Sequence, residues 1–194
     1  RSSHNAPGRV LIDVCNELGM LLMDEAFDGW AYAKNGNTCD FSKYFNQTLG
    51  EENQLLGGSA DKKWYQFTLE SLIERDKNDP CVIMWSIGNE INFGVPNTTA
   101  EPWISEYRGY AADMISRIKA IDPTKPITHG DNVANLSSTG DLRTQISGML
   151  AEAGGVVGLN YSPGNYANNH RLHPTWPLVG SETASAINSR GIYS

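Results

Sequence analysis

Cysteine is scarce in this 194-residue chain: Cys15, Cys39 and Cys81 are all there is. They are too few and too scattered for a disulfide framework, and no C-x-x-C pair offers a zinc or redox motif. Cys15 and Cys81 lie in apolar segments and read as buried thiols. No run of about 18 apolar residues occurs, so nothing reads as a membrane span. Basic charge is also short. The 15 Lys and Arg stand against 22 Asp and Glu, a net charge of −7, which argues against a nucleic-acid surface. There is no G-x-G-x-x-G after a strand and no Walker G-x-x-x-x-G-K-[ST], so nucleotide-binding open sheets lose ground. Without a G-x-S-x-G, a serine hydrolase elbow is unsupported. The close pair His170 and His173 has the wrong spacing for the usual zinc helix. No metal and no cofactor is expected.

What is present is an alternation. "PGRVLIDVCNELG" (7–19) predicts a helix with Val10, Leu11, Val14, Cys15 and Leu18 on one apolar face. "MLLMDEAF" (20–27) is a short apolar run ending in acids. A Gly- and Asn-rich stretch over about 28–60 is long for a loop and reads as an insertion. "DKKWYQFTLESLIERDKN" (61–78) predicts a helix with Trp64, Phe67, Leu69, Leu72 and Ile73 as its buried candidates, ended by Asp79-Pro80. "CVIMWSIGNE" (81–90) is an apolar strand that closes on Gly88, Asn89 and Glu90. Helices follow at 100–122 and 141–154, and strands at 126–132, 156–162 and 177–184. Apolar runs alternating with amphipathic helices indicate a parallel α/β sheet covered by helices. Pattern alone leaves an open sheet and a barrel equally available.

The polar residues cluster at the strand ends: Asp24 and Glu25, Glu90, Asp131, Asn160 and Tyr161, and Glu182. In parallel α/β folds that edge binds ligands. Two converging carboxylates are the minimum apparatus for glycoside hydrolysis. One protonates the leaving oxygen, and the other attacks carbon or activates water. The competing structural reading is that such acids cap the next helix or pair with Arg.

Longer stretches then carry a resemblance. "SHNAPGRVLIDVCNELGMLLMDEAFDGW", "RDKNDPCVIMWSIGNE", "VVGLNYSPGNY" and "PLVGSETASAINSRGIY" occur in the order of the segments they resemble in the glycoside hydrolase family 2 catalytic domain. The resemblance covers the whole chain. It implies a (β/α)8 TIM barrel, here incomplete, from about the end of strand two to just after strand seven, within a larger multidomain enzyme. It implies a retaining β-glycosidase acting on a carbohydrate substrate, with Glu90 as general acid/base and Glu182 as nucleophile, about 5–5.5 Å apart. Asn89 would hold the sugar 2-hydroxyl, Tyr161 would hydrogen-bond the nucleophile, and His4 would line the sugar pocket. Asp28 and Trp30 would be further sugar contacts, while Trp85 would pack inside the barrel. The family also suggests a periplasmic or secreted setting; the oligomeric state stays open.

"SETAS" is more similar to the β-galactosidase-like branch than to the "SEYG" of glucuronidases, so β-galactosides are the expected substrates. β-Glucuronides and β-mannosides are alternatives, and a non-catalytic carbohydrate-binding barrel is the rival of another class. Asp79 stands where the family usually has His, ahead of the strand, and a modest effect is expected. With strands missing, the 194 residues alone are expected to be poorly stable, since an opened barrel exposes strand edges.

Overall fold

The structure is a computed structural model. It describes residues 1–184 except 38 and 134, so "SAINSRGIY" (185–193) lies outside the described residues. Five strands, β1 (Leu22–Glu25), β2 (Val82–Asn89), β3 (Ile127–Asp131), β4 (Val157–Asn160) and β5 (Leu178–Glu182), form one sheet in chain order. Every pairing is parallel. A doubly wound open sheet reverses its strand order at a switch point. Here no reversal occurs, and the sheet is a run of barrel wall.

Helices fill the connections: α1 (Arg9–Leu18), α2 (Ser42–Phe45), α3 (Trp64–Asp76), α4 (Trp103–Ile121), α5 (Leu142–Glu152) and α6 (Tyr166–Leu172). The short α2 and α6 lie in stretches that carry no clear helical period in the sequence. Local chemistry sets the ends. Asp141 caps α5 by accepting the Arg143 N–H at 2.9 Å, and Gly19 ends α1 in the left-handed region at φ 66°.

The main core lies between the sheet and α1, α3, α4 and α5, built from Ile12, Leu69, Ile73, Ile87, Met114, Ile118, Ile146 and their neighbours. Burial of this area is the dominant favourable contribution to the fold. An aromatic cluster extends it beneath the 28–60 stretch. Phe45 stacks on Tyr65 at 4.5 Å between centroids, and Trp30 stacks on Tyr107 at 5.3 Å. These contacts tie the segment to α3 and α4.

Three packing expectations need correction. In α1 the buried residues are Ile12 and Cys15, whereas Val10 and Leu18 are 77% and 67% exposed. The helix is apolar on two sides, so its periodicity did not choose between them. In α3, Tyr65 is buried where Trp64 and Phe67 are only half-buried; its hydroxyl donates to Asp113 on α4 at 2.7 Å, which gives its polar end a partner. Trp85, expected inside the barrel, faces the helices instead. Its indole N–H donates to Asp122 at the end of α4 at 3.0 Å, and Lys125 lies over the ring. A register shift near Ile83, where Leu22 and Met23 pair with Val82 and Met84, puts Val82 and Trp85 on the same face.

Asp79 is not idle. Its two oxygens take both terminal nitrogens of Arg9 at 2.6 Å, and Asn16 donates to it at 2.7 Å. It fastens α1 to the entry of β2, far from the strand's C-terminal end.

Candidate active site

The C-terminal ends of β1, β2, β4 and β5 bring Glu25, Asn89, Glu90, Asn160 and Glu182 to one place, and Arg1 joins them. The Arg1 guanidinium donates to Glu25 at 2.8 Å, to Glu182 at 2.7 Å and to Asn89 at 2.8 Å. Its side chain is only 6% exposed. It can lie there because position 130 on β3 is glycine: a Cβ at Gly130 would come within 2.4 Å of the guanidinium.

Glu90 ends the apolar strand in the left-handed region, at φ 45° and ψ 48°. Its backbone N–H is held by the Gly130 carbonyl at 2.7 Å. One carboxylate oxygen faces Asn160 Nδ2 at 3.3 Å; the other meets Lys34 Nζ at 3.1 Å. Glu182 meets Arg1 through Oε1, and His4 Nε2 lies 3.5 Å from the same oxygen. Asn160 spans the two glutamates. Its amide donates to Glu90 and to Asn89, while its carbonyl oxygen accepts from Arg1 at 3.5 Å and from Ser181, the neighbour of Glu182, at 2.7 Å.

The carboxylates divide by access. Glu25 is fully buried, and Arg1, His4, Ser86 and the Ser2-supported backbone fix it. Glu90 and Glu182 keep 14% and 18% of their side chains exposed, so these two can reach a ligand. His4 is 31% exposed, and its hydrogen bond to Glu25 raises its pKa above the ordinary histidine value. That favours an imidazolium, a donor, on the rim of the site.

The remaining candidates fall in different places. Asn89 is enclosed: its oxygen accepts from Arg1 and Asn160, and its amide donates to Asp28 at 2.9 Å. Among the described residues its second amide hydrogen has no partner. Asp28 is 36% exposed and paired with Lys34 at 3.0 Å. Tyr161, at φ 52° and half exposed, is linked to β5 by its backbone N–H, which donates to the Glu182 carbonyl at 2.7 Å. Trp30 has no exposed surface. Its indole N–H donates to the Ile87 carbonyl at 2.7 Å, so it packs under the site and offers no face to a sugar.

Not every strand-end acid converges. Asp131 is buried against His129 at 3.0 Å, and Asp24 lies against Asp76 of α3 and Ser2. His173 Nε2–H donates to the Leu136 carbonyl at 2.7 Å, and the ring stacks on Trp176 at 3.7 Å, a packing role. A cavity of about 480 Å³ lined by Tyr166, His170, Trp176 and Leu178 lies along β5 and includes neither glutamate. Sequence reasoning did not single out Arg1, Lys34 or Ser86 for the site. The strand-end rule pointed to Glu25 and Asn160; nothing local marked Arg1 or Lys34.

A parallel barrel wall that presents two accessible glutamates at its C-terminal edge, joined by an arginine and two asparagines, has the layout of a glycoside hydrolase centre. The sequence matches the family described as "Glycosyl hydrolases family 2, TIM barrel domain" over residues 1–194, and the chain belongs to that family. It is 31% identical over 216 residues to the beta-galactosidase BoGH2A of Bacteroides ovatus, covering all of this chain and 22% of that protein. It is 26% identical over 132 residues to the beta-glucuronidase of Rattus norvegicus, covering 68% of this chain and 16% of that protein. A crystal structure of a glycosyl hydrolase family 2 member from Bacteroides cellulosilyticus superposes with a TM-score of 0.64 at 29% identity, over 93% of this chain and 19% of that one. The chain thus spans less than a quarter of the length of each of these relatives.

Proposed function

We propose that the chain carries the catalytic centre of a retaining β-glycosidase that hydrolyses terminal β-linked sugars, with β-galactosides as its substrates. The observation that carries the reading is the pair of accessible glutamates, Glu90 and Glu182, spanned by Asn160.

In the first half-reaction Glu182 attacks the anomeric carbon as a carboxylate, and the bond to the leaving oxygen breaks as Glu90 gives that oxygen its proton. In the second half Glu90 takes a proton from water, the water oxygen bonds to the anomeric carbon, and the ester to Glu182 breaks. Arg1 fixes the Glu182 carboxylate before attack, so little reorganisation is needed. Asn89 has one amide hydrogen to offer the sugar 2-hydroxyl. β-Glucuronide hydrolysis is the second reading, because the rat relative carries that name.

The test is turnover of p-nitrophenyl β-galactoside, β-glucuronide and β-mannoside by the full-length protein, with Glu182→Ala as control. Preference for the galactoside, retained anomeric configuration and loss in the control support the proposal. Preference for another sugar keeps the mechanism and replaces the substrate. Sugar binding with no turnover of any of the three moves the chain to the binding proteins.

A further inference from the structure

The hydrogen-bond inventory of Glu90 bears on its acid/base role. Both of its oxygens face donors: Asn160 Nδ2 at one, the Lys34 ammonium at the other. An ammonium has three donors and no acceptor, so it pairs strongly with an ionised carboxylate oxygen and only weakly with the hydroxyl oxygen of a carboxylic acid. Both contacts orient Glu90 in its carboxylate form, the form needed to activate water.

Lys34 is built into this position. Its backbone N–H donates to Asp40 at 3.1 Å, which shapes the turn that holds it. The preceding residues press against the loop after Glu90 so closely that a Cβ at Gly94 would come within 2.5 Å of the Tyr32 carbonyl. Beneath them Trp30 crosses Gly88 and bonds Ile87. The ammonium also contacts Asp28 at 3.0 Å and lies 5.6 Å from the centre of the exposed Phe93 ring. Asp28 in turn accepts from Asn89. One lysine thus links the acid/base, through Asp28, to the amide that would hold the sugar.

On the reading of Glu90 as acid/base, we infer that Lys34 is a positioning residue for the second half-reaction. It holds the Glu90 carboxylate in place for the step that activates water, and it is itself held by Asp28. Partial burial disfavours the lysine's charge, but its bonds to Asp28 and Glu90 outweigh that, and its pKa is raised, so it stays an ammonium through the cycle. No proton leaves Lys34 at any step. Glu90 gains its proton from the attacking water and returns it to the next leaving oxygen.

The test uses the full-length protein with Lys34→Met and Lys34→Arg. A 2,4-dinitrophenyl β-glycoside needs little acid help, so its turnover is limited by the second half-reaction. An alkyl β-glycoside is limited by the first. Loss of one charge-assisted hydrogen bond lowers kcat for the dinitrophenyl substrate about tenfold in Lys34→Met. The glycosyl-enzyme then accumulates beyond its level in the unaltered protein and persists about tenfold longer once substrate is exhausted, visible as added mass on the intact protein, and azide, which needs no general base, restores turnover as glycosyl azide. On the alkyl substrate kcat/KM stays within about twofold, and Lys34→Arg retains most of the dinitrophenyl rate. Equal losses on both substrates, or no accumulation and no azide response, overturn the inference while leaving the glycosidase reading intact. Failure of the unaltered protein to turn over any β-glycoside overturns both.

Discussion

Asp24 offers the most direct test of the packing. It ends β1 beside Glu25 but turns toward α3, where it meets Asp76, and both side chains are fully buried. Arg75 donates twice to Asp76, at 2.8 and 2.5 Å. Asp24 Oδ1 is 3.4 Å from the Ser2 hydroxyl, and Oδ2 is enclosed. Burial first, and the neighbouring Asp76 second, push the Asp24 carboxyl from 3.8 up to about 7. The folded protein therefore keeps a proton here that the unfolded chain loses. Stability from this group is complete below the unfolded value, falls as pH rises from about 4 to about 7, and is flat above. At 1.36 kcal/mol per pH unit the fall amounts to roughly 4 kcal/mol. Asn is close to the shape of a protonated Asp and does not titrate. Asp24→Asn should match the unaltered protein near pH 4 and exceed it by a few kcal/mol near pH 8. The assay is urea unfolding of the full-length protein at several pH values, and the difference between the two proteins isolates this site from other titrations. Parallel stability curves for the two proteins would refute a shared proton at Asp24.

Three further outcomes follow from the site and its support. Glu90→Gln should lower turnover of alkyl β-glycosides roughly 100-fold or more and spare dinitrophenyl ones in the first half-reaction; equal loss in single-turnover assays would remove the acid role. Gly130→Ala forces the Arg1 guanidinium away from Glu182 and from the buried Glu25, so kcat should fall at least tenfold and the unfolding midpoint should drop as well, checked by steady-state kinetics beside a thermal melt. Trp30→Ala should cost about 3–5 kcal/mol in urea unfolding, because it empties a fully buried site and leaves the Ile87 carbonyl without its partner.

The sequence was most legible where one physical demand acts alone. A strand buried on both faces must be continuously apolar, and "CVIMWSIGNE" could be read as one with Glu90 at its mouth. Glu182 followed by the same logic. Side-chain direction was less legible, because it depends on more than the local pattern. Trp85 turned outward through a register shift set by its pairing with β1, and α1 could have buried either apolar side. Asp24 and Glu25 look alike on paper, yet adjacent residues on a strand point to opposite faces. One reaches the site, and the other reaches α3.

The same logic explains why the sugar contacts were harder to assign than the glutamates. A catalytic carboxylate must be accessible, and its strand end already implies as much. An aromatic in a loop is under no such constraint. Trp30 reads equally well as a stacking platform or a packing anchor, and only tertiary contact decides. Here the aromatic cluster claims it: stacked on Tyr107 and bonded to the strand that leads to Glu90, it fixes the floor beneath that residue. That floor lets a polar, glycine-rich segment hold Lys34 at hydrogen-bond distance from Glu90. The residues of the 28–60 stretch thus divide their labour. Aromatics bury themselves against α3 and α4, and the polar side chains between them are free to serve the site.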